Sequence, residues 1–511
     1  MAKLIWHNWN QLSGFFRPRR ETVPEWLLGL AILIYSTFFS AYLSQKYDYF
    51  RTGYFDFGQA VQTAWLVSQG HLNGLALGRP ITIIAGLFFA IYPHPQTLLT
   101  LQSYALGIGA LPVYLLAHRE LENKWSSLGF AGLYLINPLL WGINQYEFHD
   151  LAFGVPLLLF AAYFCCRGKM VPYLASFGLA LACSPFVVVI GLGLASSMVI
   201  GSWKKGRLRS DLAFPLATLA VALGFVFYLE AIPFLPSFQL STVGTQSYTF
   251  FGSSRYINPV AIIENPLGSI SYSLVPKSLY LLGTFAPLLF LPIASTHRLL
   301  PAVPWLGVVL FYSPQLGAGG VGPVYELSQW SSFLVPFVFI GAVYGFVRVK
   351  SISKLKSFTG TRTAFVSMFL LTLLLATFSS GLSPIGPSMM LSLGDNTVPT
   401  ETQSGSLLHS IWPSPVNNSV ILDWFVSQIP TNYSVLTQNQ IGSKLGERPA
   451  PVYVFYQPGY KDPKADAILV DNQMAGLCAP CLNNILTTGN YTLHLSYVEG
   501  GILLYYRLMQ A

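Results

Sequence analysis

The chain has 511 residues, of which 53% are hydrophobic and only 9% charged, and its formal net charge is +8. Ordinary soluble domains carry about 25% charged residues, so most of this chain does not face water, and repeated apolar runs near the ~20 residues that cross a bilayer make it a polytopic membrane protein. The basic residues sit in short loops between those runs, where the positive-inside rule accounts for them and a nucleic-acid partner is excluded.

Residues 1–23 are basic and aromatic, with Lys3, Arg17, Arg19 and Arg20, and read as a cytoplasmic interfacial segment. The apolar run that follows is too long for a signal peptide, so no cleavable signal is expected. Residues 24–381 form the membrane domain. Its first span, about 24–44, leads outward into a first outer loop, 45–95, that is aromatic and amphipathic. The apolar stretch at 79–93 is too short to span comfortably and reads as re-entrant. Spans follow at 96–117, 125–143 and 151–166. Segment 171–201 is apolar but basic at both flanks, so two short helices turning near residues 183–185 are expected. Spans at 211–231, 276–295, 301–314, 330–347 and 363–381 bring the count to about eleven, with outer loops at about 233–274 and 315–329.

Residues 382–511 are polar and read as a small α/β domain. Strands are expected in SVLTQNQ, PVYVFYQ, DAILVD and YTLHLSYVEGGILLYYR, after a helix at about 419–429. Topology puts this domain outside, and N-x-[ST] sequons at Asn417, Asn432 and Asn490 agree. Cys478 and Cys481 form a CAPC there. With no histidine cluster beside them, a disulfide is favoured over a zinc half-site. Cys165, Cys166 and Cys183 lie in apolar runs as packing residues. The fold class is thus mainly α: a polytopic helical membrane protein with a small C-terminal extracytoplasmic α/β domain.

In so uncharged a chain the acids near the outer face stand out: Asp48, Asp56, Glu147, Asp150, Glu264 and Glu326. Asp48 reads as a surface partner of Lys46 or Arg51. Asp56 lies in YFDFGQAVQTAW, where Gln59 is on its helical face and Gln62 one turn further. A helix N-cap is the alternative use of this carboxylate. EFHD at 147–150 brings Glu147, His149 and Asp150 together. Those donors suit Mg²⁺ or Mn²⁺ loosely, although three in four residues cannot all face one ion on a helix. The alternative is a cap by Asp150 with His149 at the interface. Arg79 and Arg255 are outer-side arginines, fit for a phosphate or for lipid headgroups. The glycine-rich LGAGGVGP lacks a strand–loop–helix context and reads as a plain loop.

FDFGQAVQTAW, HPQTLLTLQSYALGIGALPVYLLAHREL, INQYEFHDLAFGVPLLLFAAYF and the tail IPTNYSVLTQNQIGSKLGERPAPVYVFYQP with ADAILVD resemble the prokaryotic membrane proteins of domain-of-unknown-function family 2079. That family is similar to the GT-C superfamily of membrane glycosyltransferases. The resemblance implies sugar transfer from a polyprenyl-phosphate lipid to an extracytoplasmic glycan, lipid or protein, with the chain multi-pass in the cell membrane. It implies Asp56 as the first-loop catalytic base. Glu147, His149 and Asp150, with Gln59 and Gln62, would orient the acceptor or a metal ion, and a Mg²⁺ or Mn²⁺ would fall to His149 and Asp150. Arg79 and Arg255 would steady the phosphate. The sequence departs from the pattern at three places. GRPIT at 78–82 replaces a His-Phe-Ser-Pro-like motif, Ser184-Pro185 replaces Lys-Glu at the hairpin turn, and Asp150 replaces a proline. These departures leave open a catalytically inactive scaffold, and a transporter or flippase of lipid-linked sugars stands as a separate alternative.

Overall fold

The computed structural model describes residues 22–72, 74–204, 206, 211–232, 265–271, 274–311, 329–352, 361–379, 413–455, 464–474 and 476–508. The N-terminal interfacial segment up to residue 21, Arg255, Glu264, Glu326 and the glycine-rich 316–323 stretch lie outside them.

Helix α1, Val23–Asp48, opens with a proline in its first turn, where the missing amide costs nothing. A single π-helical turn, Tyr54–Gly58, then leads into α2, Gln59–Ser68. Next come α3, Ile81–Ile91, and the pair α4, Gln96–Ile108, and α5, Ala110–Leu121. Helices α6, Lys124–Leu135, and α7, Pro138–Gln145, meet at a 43° bend ahead of Pro138. They are followed by α8, Asp150–Cys166, then α9, Met170–Leu181, α10, Val187–Lys204, and α11, Ala213–Ala231. The sequence CSPF separates α9 from α10, so residues 171–201 are two helices.

Four helices among the described residues are long and apolar enough to cross a membrane: α1, the joined Gln96–Leu121, α10 and α11. The bent pair makes a fifth if it is one span, and several other apolar helices are shorter. The stretch 276–295, expected as one span, is broken. Helix α12, Leu274–Phe285, gives way to a 3₁₀ turn at Ala286–Leu288, and Leu289 and Phe290 take left-handed backbone. Pro287 and Pro292 remove the amides a continuous helix would need. The chain resumes as α13, Val303–Phe311, then α14, Val335–Ser351, and α15, Thr361–Ser379. Lipid is as apolar as leucine, so side-chain fit holds such a bundle rather than exclusion of water. Phe130 packs edge-on against Phe346 and Phe365, and Tyr134 against Phe339, in its centre.

The C-terminal part holds α16, Ser419–Ser427, then β1, Val435–Thr437, α17, Asn439–Gly442, β2, Val452–Val454, and β3, Ala467–Asp471. It ends with α18, Ala479–Thr488, β4, Tyr491–Tyr497, and β5, Ile502–Arg507. The sheet order is β2-β1-β3-β5-β4, with β2, β1 and β3 parallel and the β4–β5 hairpin antiparallel. Cys478 and Cys481 are joined in a disulfide at the start of α18, and Asn417, Asn432 and Asn490 are exposed. Phe50 and Tyr54 of the first loop enter this part's apolar core beside Leu422, Phe425 and Ile441, which seats the sheet on the loop that carries Asp56.

Candidate functional site

Asp56 lies in the middle of the π-helical turn, whose Phe57 and Gly58 amides both donate to the Gly53 carbonyl at 3.1 Å. Such turns insert a residue into a helix and recur at functional sites. The cap alternative does not hold: Gly58 is the N-cap of α2, and no side chain caps that helix. Asp56 faces EFHD instead. Its Oδ1 is 3.1 Å from His149 Nε2, and its Oδ2 accepts from the Tyr146 hydroxyl at 3.4 Å. The carboxylate is partly open, with 39% of its side chain exposed, whereas only 5% of His149 is. Burial works to raise the Asp56 pKa. His149, Arg79 and Tyr146 outweigh it and hold the carboxyl below its ordinary value.

EFHD does not converge on one point. Glu147 takes φ 115°, a strained conformation for a residue with a Cβ. Its carboxylate turns back to the amide of Gly53, which donates to both oxygens at 3.0 Å, and lies 3.8 Å from Lys46 Nζ. Asp150, 4% exposed, instead pairs with Arg79 at 3.6 Å. Gln102 of α4 fixes the turn from below. Its Nε2 donates to the Glu147 carbonyl at 2.8 Å, and its Oε1 accepts from the His149 amide at 2.7 Å. Three neighbouring side chains thus take three different partners. The cap alternative fails for Asp150 too, since His149 is the N-cap of α8 and no side chain caps it.

Arg79 pairs with Asp150 and its charge also acts on Asp56, with 32% of its side chain exposed. The α9–α10 turn closes this side, because the Ile81 amide donates to the Ala182 carbonyl at 3.2 Å. The Ser184-Pro185 departure therefore falls next to the site, while Arg255 lies outside the described residues.

Gln62 is corrected. It is buried and turned away from Asp56: its Oε1 accepts from the Tyr54 hydroxyl at 2.7 Å, and its Nε2 donates to the carbonyls of Arg448 and Ala450. It ties α2 to the C-terminal part. Gln59 opens α2 and is half-buried. Asp48 pairs with neither Lys46 nor Arg51, since Gln96 Nε2 donates to both its oxygens at 3.0 and 3.2 Å. Lys46 reaches the Gln145 carbonyl at 2.9 Å.

A divalent ion does not fit the donors as they stand. Hard cations want six or more oxygens, but Glu147 and Asp150 already face Lys46 and Arg79, and His149 faces Asp56. No group of three or more metal-ligating side chains occurs among the described residues.

The sequence reading missed Gln102 and Tyr146 and gave Lys46 the wrong partner. Gln102 carried a signal, being a polar side chain inside an apolar span. Tyr146 and Lys46 look like ordinary interfacial residues and gave none.

The sequence matches the family model DUF2079, described as a predicted membrane protein, over residues 46–494. Among curated proteins no sequence matches. In fold the chain is similar to ArnT from Cupriavidus metallidurans bound to undecaprenyl phosphate, with a TM-score of 0.53 at 11% identity over 94% of this chain and 98% of that one. The archaeal oligosaccharyltransferase AglB from Archaeoglobus fulgidus, in complex with an inhibitory peptide and a dolichol-phosphate, aligns at TM-score 0.40 and 12% identity over 95% of this chain and 74% of that one. At such identities the likeness to ArnT shows a shared fold.

Proposed function

This chain belongs to the DUF2079 family of predicted membrane proteins, and on that footing we propose that it is a membrane glycosyltransferase. It would move a sugar from a polyprenyl-phosphate carrier to an extracytoplasmic glycan, lipid or protein. The observation that carries the reading is the Asp56 carboxylate: partly open, held by a buried histidine and under the field of Arg79, at the end of the bundle where the C-terminal sheet docks. The fold shared with a protein that holds undecaprenyl phosphate supports the donor class.

In this reading the acceptor O–H gives its proton to Asp56 while its oxygen bonds to the anomeric carbon. The anomeric carbon–oxygen bond breaks, and the polyprenyl phosphate leaves with that electron pair. Arg79 meets the developing phosphate charge. His149 holds the Asp56 carboxylate in direction and Tyr146 donates to its other oxygen. A carboxyl with a depressed pKa is a weak base, but a phosphate arriving beside it raises that pKa and makes it a better one. Donor binding thus primes the base. We place this carboxylate on the extracytoplasmic side, level with the lipid headgroups, so that the carrier enters sideways from the bilayer. The test is sugar transfer in proteoliposomes from polyprenyl-phosphate sugars, wild type against Asp56→Asn.

A further inference from the structure

A cavity of about 250 Å³ opens where the C-terminal sheet meets the first loop. Its position follows from topology. Strands β1 and β3 are parallel neighbours. The chain leaves β1 for β2 on one side, through a segment whose Ile441 and Leu445 pack on the face of Val435 and Leu469. It leaves β3 for the other side through α18, whose Leu482 and Ile485 pack on the opposite face with Leu436 and Ile468. The two connections diverge and leave a crevice beyond the carboxyl ends of β1 and β3. Open α/β sheets bind their ligands at such a switch point.

The cavity lies there. Gln440 follows β1, Asp471 ends β3, and Gln473 and Met474 come next. Phe50 and Arg51, from the turn before Asp56, close it from the bundle side. The floor is rigid. Gln438 accepts from the Asp471 amide at 2.8 Å and donates to the carbonyls of Asp471 at 2.8 Å and Met474 at 2.9 Å. Asp471 Oδ1 accepts from the Gln473 amide at 2.8 Å, and Arg51 Nε donates to the Ser414 carbonyl at 3.1 Å.

We propose that this cavity binds one ring of a neutral sugar. The Arg51 guanidinium and the amides of Asn417, Gln440 and Gln473 line it and offer both donors and acceptors to ligand hydroxyls, while the buried Asp471 carboxylate beneath them balances the charge. Met474 and Val416 offer an apolar wall to the C–H side of a ring, with the buried Phe50 behind them. Asp471 opposes an anion. The volume falls below the roughly 300 Å³ at which pockets for drug-sized ligands begin, which suits a single ring. Use of the cavity to anchor the acceptor glycan rests on the glycosyltransferase reading; binding of the sugar does not.

The test uses the full chain in lipid nanodiscs and saturation-transfer NMR, with methyl α-glucopyranoside, methyl α-mannopyranoside, N-acetylglucosamine and inorganic phosphate as probes. At least one sugar binds, and phosphate does not displace it. Met474→Trp, which fills the cavity, weakens binding roughly tenfold or more, as does Gln473→Ala should the tryptophan variant melt early. Asp56→Asn leaves the sugar bound. A folded wild type that binds none of the sugars overturns the inference. So does binding unmoved by both cavity variants, lost in Asp56→Asn, or displaced by phosphate. A wild type that binds sugar here but transfers nothing keeps this inference and removes the reading above. A wild type that transfers but binds no sugar does the reverse.

Discussion

The turn that carries Asp56 is held from two sides by opposite means. On the bundle side every tie ends on a carboxylate: Glu147 on the Gly53 amide, Lys46 near Glu147, His149 on Asp56 and Arg79 on Asp150. On the sheet side Arg51 and Lys444 carry charge further from the acid, but from Thr52 onward the ties are neutral. Asn439 Oδ1 accepts from the Phe55 amide at 3.0 Å, Thr52 donates to Ser443 at 3.0 Å, and Gln62 reaches two carbonyls. Glycines let the backbones touch there: a Cβ on Gly446 would meet the Gly58 carbonyl oxygen at 2.9 Å and Val61 at 2.8 Å. Charges near a reacting group change its chemistry, whereas neutral hydrogen bonds only fix where it is. The bundle side therefore sets what Asp56 can do, and the sheet side sets where it stands.

Removing the acid itself is the strongest test of that division. Asp56→Asn keeps the shape and loses the base, so transfer falls roughly 10²- to 10⁴-fold, while the melting temperature barely moves because the side chain is half open. An active preparation that keeps its full rate in the variant removes Asp56 from the chemistry. Gly446→Val attacks the sheet side. The added atoms press on Gly58 and Val61, at a cost of about 1–3 kcal/mol. Limited proteolysis should then cut between the bundle and the C-terminal part faster than in wild type, and transfer should fall with it. Normal transfer by an undocked chain denies the sheet its positioning role.

A double-mutant cycle sharpens the charged side. Arg79→Gln leaves a buried Asp150 without its ion-pair partner, and Asp150→Asn in that background relieves it. The pair should couple by about 0.5–3 kcal/mol in thermal or denaturant unfolding. Arg79 is about a third exposed, so water screens part of the attraction and the lower half of that range is expected. Additive losses would mean that the two side chains are neighbours without being partners.

What the sequence revealed follows the same line. Asp56 and EFHD were legible because each is a local anomaly, an acid among apolar neighbours. The α/β tail was legible from alternation along its strands, and the α9–α10 break from a proline between basic flanks. The role of Gln62 was not legible, because its partners Arg448 and Ala450 are nearly four hundred residues away in sequence. Helical spacing put Gln62 near the face of Asp56, and the π-helical turn before α2 shifted that register. The separate destinations of Glu147, His149 and Asp150 depend on the positive φ at Glu147, which no composition signals in a glutamate. The broken 276–295 stretch did carry its signal in Pro287 and Pro292, but its apolar content outweighed them.

The smallest expected effect is the most direct measure of the bundle side. The Asp56 carboxyl of the free enzyme is held below its ordinary value, so its ionised form persists as pH falls from neutral, and kcat/KM should not drop on account of this group until the pH is below the ordinary carboxylate range. The sign for stability runs the same way. A depressed folded pKa adds stability above the unfolded value, and that stability is lost as pH falls through the folded one. His149 is the main influence opposing the upward push of burial. His149→Gln leaves that push opposed by Arg79 and Tyr146 alone, so the Asp56 pKa rises and the acid limb of kcat/KM moves to higher pH. The shift is read from the pH profile rather than from the maximal rate, which separates it from simple loss of packing around a buried ring. If the limb stays in place, His149 supports the turn sterically and the charged side of the comparison reduces to Arg79.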